Sequence, residues 1–303
     1  MTINTTSSLP VATHRFFSLS RVWALALNTL IELTRQKVFY FLLIFALLVI
    51  GNSAFMAQFS FEEEFQMLKD VSLGAMSIFT SLIAMLATAF LLPKDIEDRT
   101  LYTILAKPVP RFEYLLGKLA GMLLLLLSSL LLMSALFITV LAIRENMVIS
   151  DTLRQMQGMS QNEVTAAILK VKTSALNINL LPGIAIIFIK AALLVAMTLL
   201  ISTFASSGIF TALVSIAIYF IGHLQATARD YWLGNVSITW ITRVFLAIVA
   251  LVFPDLQAFN LIDGVVVGTA IPLLLFIKVF GLGLLYTIIY YLFAAFIFSG
   301  KEL

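Results

Sequence analysis

Six apolar runs, each about long enough to cross a lipid hydrocarbon core, dominate this chain. They cover roughly residues 38–57, 72–92, 119–143, 183–204, 207–224 and 271–299. A helix needs about 20 residues to span a core of about 30 Å, and in lipid each backbone polar group must be satisfied within its own segment. The runs therefore predict an all-α polytopic membrane protein with six transmembrane helices. Composition agrees: 61% of the 303 residues are hydrophobic, 12% are charged, and the mean hydropathy is +1.05. A soluble domain has roughly half its residues apolar and about a quarter charged. No polar stretch is long enough for a conventional soluble domain, so residues 1–303 read as a single transmembrane domain. The fifth run is short and the last is long, so tilt or mismatch is expected at both.

A seventh apolar stretch, 236–253, contains Arg243. Thr239, Arg243, Ala247 and Ala250 recur there on one helical face. That stripe predicts a helix packed on protein or lying at the membrane interface. Basic residues then set the orientation. With the N-terminus inside, cytoplasmic segments hold Arg15, Arg21, Arg35, Lys37, Lys301 and the five Lys or Arg of residues 94–118. The outer loops 58–71, 144–182 and 225–270 are longer and sparser in positive charge, and the first carries Glu62, Glu63 and Glu64. A multi-pass plasma (inner) membrane protein with both termini in the cytoplasm is expected. The net charge of +3 is small and the basic residues lie beside apolar runs, which argues for a lipid-bilayer partner and against nucleic acid.

Residues 20–37 read as an amphipathic elbow helix lying in the membrane plane before the first span. Val22, Leu25, Leu30 and Ile31 are expected to face lipid, and Arg21, Asn28, Glu32 and Arg35 to face water. In the loop 144–182, Ser160 and Glu163 form a capping-box pattern ahead of Val164, Ile168 and Val171, which predicts a helix there. Turn signals fall at Gly234-Asn235 and Pro254-Asp255. Cys is absent, which excludes disulfides, thiol catalysis and Cys-based metal sites. The two histidines, His14 and His223, lack ligand spacing, and His223 is expected at a helix end near the headgroups. The first 37 residues lack the layout of a cleavable signal.

The segment Lys94 to Leu119 (KDIEDRTLYTILAKPVPRFEYLLGKL) is a charged island between the second and third runs. Asp95 is a plausible N-cap, with Glu97 and Asp98 in the first turn, where the helix dipole favours acids. Thr100, Leu101, Ile104 and Leu105 supply an apolar stripe. Pro108 and Pro110 then stop the helix, and Arg111 and Lys118 flank the start of the third run. This predicts a short, rigid, amphipathic helix over 95–111, held against the cytoplasmic face. Rigidity is costly in chain entropy unless force or position is transmitted through it.

The run DIEDRTLYTILAKPVPRFEYLLGKLAG resembles the signature of permease subunits of the type 2 ABC-exporter superfamily. The nearest group is the one linked to multicopper-enzyme maturation and gliding. The residues that carry the resemblance are Glu97, Thr100-Leu101, Lys107-Pro108-Val109-Pro110-Arg111 and Leu115-Leu116-Gly117-Lys118. The tail is similar too, in FPDLQAFN (Phe253 to Asn260), a last span rich in Tyr and Leu, and the closing Lys301-Glu302-Leu303. Pro110 departs from the family, which often has a small polar residue there, and stiffens the turn. The resemblance implies six spans with an elbow helix, and an exporter of two ATPases and two permeases, the second a copy or a paralogue. An extracytoplasmic accessory protein accompanies some members. It also implies that the 95–111 segment is the coupling helix seated on the ATPase. Asp95, Glu97, Asp98, Arg99, Thr100, Leu101, Leu105, Lys107, Pro108 and Arg111 would carry that contact. The family exports lipids, polysaccharides, peptides and drugs, so the resemblance implies no particular substrate.

The chain has no phosphate-binding G-x-x-x-x-G-K-[ST] loop, since Gly117-Lys118 lacks the upstream glycine. A non-catalytic subunit that binds no cofactor itself is expected, with ATP and Mg in the partner. The competing class is a secondary transporter or channel, which usually keeps acids or broken helices at mid-membrane. No Asp or Glu falls within the six runs; the ionisable candidates are Lys190 and Lys278. Each either snorkels to the outer headgroups or lines an outward cavity that attracts an anionic group. An intramembrane enzyme would need a Ser-His, paired Asp or His-metal set within the runs, and none is present.

Overall fold

The computed structural model of the chain describes residues 17–53, 61–98, 109–156, 160–175, 177, 179–234, 240–241, 244, 253–269 and 271–300. The described part is all helical in its regular structure, with ten α-helices. In chain order these are α1 (Leu19–Thr34), α2 (Lys37–Asn52), α3 (Phe61–Ala89), α4 (Leu91–Glu97) and α5 (Arg111–Gln155). They continue with α6 (Gln161–Ala175), α7 (Leu180–Phe204), α8 (Gly208–Gly234), α9 (Ile262–Val267) and α10 (Leu273–Gly300), with a 3-10 turn over Leu256–Phe259. The helices built on α3, α5, α7, α8 and α10 are long and apolar enough to cross a membrane. The pair α1–α2, bent by 71° at Arg35–Gln36, makes six if counted as one span. A multi-span membrane protein is thus the class of the chain.

The bundle is organised around α7, which packs on α3, α5, α8 and α10. A helix apolar on all sides is a buried helix in a protein or a lipid-facing one, and the bundle contains both kinds. α7 is buried along most of its length, from Ile186 to Thr203. α10 has a similar composition but leaves Leu274, Leu285, Phe293 and Phe296 exposed. Phe41 on α2, Leu131 on α5 and Leu213 on α8 extend the same exposed apolar surface.

Helix ends differ from the sequence expectation in instructive ways. α3 begins at Phe61, so Glu63, Glu64 and Lys69 lie inside a helix and not in a loop. Lys69 is buried, and its Nζ donates to the Ser174 carbonyl at the end of α6. Arg144 Nε donates to Glu64 Oε1 at 2.7 Å, joining α5 to α3. α5 runs unbroken for 45 residues, well past the expected 119–143 on both sides. Half of the expected capping box forms: Ser160 N donates to Glu163 Oε2 at 3.2 Å at the start of α6. α9 closes in the left-handed conformation at Gly268, φ 82°, with Thr269 N donating to Gly264 O at 3.0 Å. Glycine takes that backbone region without steric cost. Trp240, Ile241 and Val244 are helical, but the rest of the 236–252 stretch, Arg243 included, lies outside the described residues.

The elbow packs differently from expectation. Val22, Ala26, Thr29 and Leu33 are buried, and α1 lies along the first half of α5. Gly117 and Gly121 make the close approach possible. A Cβ on Gly121 would sit 2.6 Å from both Ala26 O and Thr29 Cβ. This is the small-xxx-small packing that lets two helix backbones meet. Of the four residues expected to face lipid, Ile31 is exposed, Leu25 and Leu30 are partly buried and Val22 is buried; Leu19, Trp23 and Leu27 complete the exposed apolar stripe with Ile31. Val22 therefore faces α5, which the sequence pattern alone does not separate from a lipid-facing position.

Candidate functional site

The root of α5, next to the charged island, gathers charged side chains from three helices. α3 ends at Ala89, and α4 starts at Leu91 after the single residue Phe90, with Pro93 in its first turn, where a missing N–H is harmless. α4 buries Leu91, Leu92 and Asp95. Lys118 Nζ lies 2.6 Å from Asp95 Oδ2, and the Tyr114 hydroxyl donates to the same carboxylate. Lys118 also reaches Glu32 Oε2 on α1 at 3.2 Å, and Lys94 reaches Glu32 Oε1 at 3.2 Å. Five residues before Lys118 on α5, Glu113 is fully buried. It accepts from Ser18 N at 2.9 Å and from Arg21 Nη2 at 3.0 Å, both at the start of α1.

The same root is tied to the end of α10. Arg111 Nη1 donates to the carbonyls of Phe298 and Ser299, at 3.2 and 2.8 Å. The Tyr291 hydroxyl donates to Phe112 O at 3.0 Å, and the Tyr114 and Phe298 rings stack 5.9 Å apart. Both flanks of the island are therefore fastened, one to α5 itself and the other to α10.

Two readings of the island need correction. Asp95 is not an N-cap: it sits within α4, buried and paired inside the bundle. Glu97 and Asp98 are not in a first turn; they close the C-terminal end of α4 and are exposed. There the helix dipole disfavours negative charge. Arg99, Thr100, Leu101, Leu105, Lys107 and Pro108 lie outside the described residues. Glu113 also shows that acids do enter the bundle, because α5 starts earlier than the apolar run does.

The two lysines separate. Lys278 is exposed on the outside of α10, as a snorkelling residue would be. Lys190 is buried between α3, α7 and α8. Its Nζ lies 3.3 Å from Ser77 Oγ, 3.2 Å from His223 Nε2 and 5.6 Å from the centre of the Tyr219 ring. His223 is not at a helix end. It stands inside α8, half-buried, with Nδ1 3.0 Å from Tyr219 O. A carbonyl only accepts, so Nδ1 carries a proton, and Nε2 of the neutral ring accepts from Lys190. Among the described residues no group of three or more His, Asp or Glu is placed to hold a metal ion. In comparison with known proteins, the chain matches no family model and no curated sequence.

Proposed function

We propose that the chain is the membrane-spanning permease subunit of an ATP-driven ABC exporter, working with a separate ATPase subunit and a second permease copy or paralogue. In this reading the α1 end of the bundle faces the cytoplasm of a plasma (inner) membrane, and the segment from Asp95 to Arg111 is the coupling element. ATP and Mg are held by the partner. The observation that carries the reading is the placement of Glu97 and Asp98. Both are exposed at a helix C-terminus, where the dipole opposes them. A cationic partner surface would offset that cost, as complementary charge does at protein interfaces. The fastened flanks support the same reading. Force on the segment reaches α5 through Asp95–Lys118 and α10 through Arg111, with little slack.

The test is to purify the chain with its co-expressed ATPase and compare Glu97→Lys, Arg99→Glu and Leu105→Asp with the unaltered protein. Loss of ATPase recovery, or loss of substrate-stimulated hydrolysis with the spans intact, is the expected result. Normal recovery and coupled turnover in all three would remove the coupling role.

A second reading, an ATP-independent secondary transporter, draws on Lys190. Ionisable side chains inside a membrane bundle usually mark a solute or ion path. Transport by the chain alone in proteoliposomes, driven by an ion gradient, would favour it over the first.

A further inference from the structure

Another lysine is buried without a counter-charge, at the opposite end of α3 from the charged root of α5. Lys69 is 2% exposed and stands about 20 residues, or about 30 Å of helix, before α3 ends at Ala89. Of its three ammonium N–H donors, one is used among the described residues, on the Ser174 carbonyl at the end of α6. No carboxylate of the described residues comes within ion-pair distance of its Nζ. A charge taken out of water normally has a partner of opposite sign.

Lys69 also lines a cavity of about 270 Å³ formed by α3, the end of α6 and the end of α9. Among the described residues it is the only charged one in the wall. Gln66, in the same wall, is exposed, so the cavity opens to the surface. The wall is mostly polar although Val266 and Val267 form part of it, so these two bring backbone to the cavity. Both close α9, where carbonyls have no partner within the helix, and no N–H of the described residues donates to them. The other carbonyls of this turn are met: Gly264 O by Thr269 N, Val265 O by Gly268 N, and Gly268 O by Asn177 Nδ2 at 3.3 Å.

The cavity thus offers one positive charge on one wall and unmet carbonyl acceptors on another. A simple anion would answer Lys69 and leave the carbonyls unmet. A simple cation would answer the carbonyls and be repelled by Lys69. One lysine offsets one negative charge, so a phosphate dianion would keep a buried net charge. A solute with a carboxylate and an ammonium close together answers both walls at once. The volume is just below the lower end of ligand pockets, about 300 Å³, which suits a small solute.

We propose that this cavity binds a free α-amino acid, with its carboxylate on Lys69 and its ammonium toward the carbonyls of Val266 and Val267. Gln66 has no hydrogen-bond partner among the described residues and adds an amide donor for the carboxylate. The site lies within one copy, at the far end of α3 from the coupling segment, and needs no ATPase. It therefore stands apart from the coupling reading above. The competing account is purely structural: Lys69 closes the end of α6, where a cation is favourable, and binds nothing else.

The experiment is equilibrium dialysis of the purified full chain in detergent against a radiolabelled mixture of the common amino acids. Saturable binding of about one amino acid per chain is expected. Unlabelled amino acids should displace the label, whereas the corresponding amino-acid amides and inorganic phosphate should not. Lys69→Gln should weaken binding at least about tenfold, equivalent to about 1.4 kcal/mol. Gln66→Leu should weaken it several-fold with the charge left in place. Lys172→Gln, exposed on α6 and outside the wall, should bind like the unaltered chain. Absence of saturable binding, equal binding in Lys69→Gln, or equal displacement by the amides overturns the proposal. Displacement by phosphate would make the cavity a general anion site and overturns it too. If Lys69→Gln does not yield monodisperse protein, unchanged affinity in Gln66→Leu overturns it.

Discussion

Lys118 on α5 and Asp95 on α4 are 2.6 Å apart, with their side chains only 4% and 8% exposed. This pair ties α4 to the first turns of α5. Removing one partner leaves the other charge buried. Lys118→Ala should therefore cost about 3 kcal/mol or more, whereas Lys118→Met with Asp95→Leu should recover most of that loss. Thermal unfolding of the purified protein in detergent checks both. Equal stability of Lys118→Ala and the unaltered chain would mean that water screens the pair.

The packing of α1 on α5 depends on two glycines. Gly121→Val places atoms where Ala26 O and Thr29 now sit. Overpacking of this kind typically costs about 1–3 kcal/mol. Hydrogen exchange should show faster exchange of α1 amides in this variant, with α7 and α10 unchanged. Protection of α1 at its normal level would show that the two helices have room to spare.

The proposed orientation is checked with single cysteines, since the native chain has none. In intact cells an impermeant thiol reagent should label Ser160→Cys and Gln257→Cys but not Thr5→Cys. Label on Thr5→Cys would invert the orientation. No label on Gln257→Cys would make 236–253 an additional span.

Lys190 and Lys278 should respond differently to the loss of charge. Lys278 is exposed, so Lys278→Leu should change stability by less than about 0.5 kcal/mol, as surface changes usually do. Lys190→Leu leaves the Ser77 hydroxyl and His223 Nε2 without their shared donor, and should cost about 1–3 kcal/mol. Chemical denaturation of the two variants side by side distinguishes them. Equal values would put Lys190 in a site as solvated as that of Lys278.

Local signals survived translation into structure, and distant pairings did not. The apolar runs place α2, α3, α5, α7, α8 and α10 because span length is a local property. Ser160 and Glu163 place the start of α6 because a capping box spans four residues. Asp95 looked like a cap because acids precede an amphipathic stretch, yet its partners Tyr114 and Lys118 are 19 and 23 positions away. His223 looked solitary because Lys190 is 33 positions away on a neighbouring helix. Glu113 precedes the apolar run, so nothing local marks it as a bundle residue, and its partners Ser18 and Arg21 are 95 and 92 positions away.

α5 is a single rod of 45 residues, with no proline after its cap at Pro110. At 1.5 Å per residue it is about 68 Å long, so a tilt of about 10° at its root would sweep its tip by about 12 Å. The tip carries α6 with it, since the two helices pack together. A displacement of an ångström or two beside Arg111 would thereby be enlarged at Gln155, the other end of the helix. A rod of this length has the geometry of a lever arm: any small motion at its base would be largest at its far end.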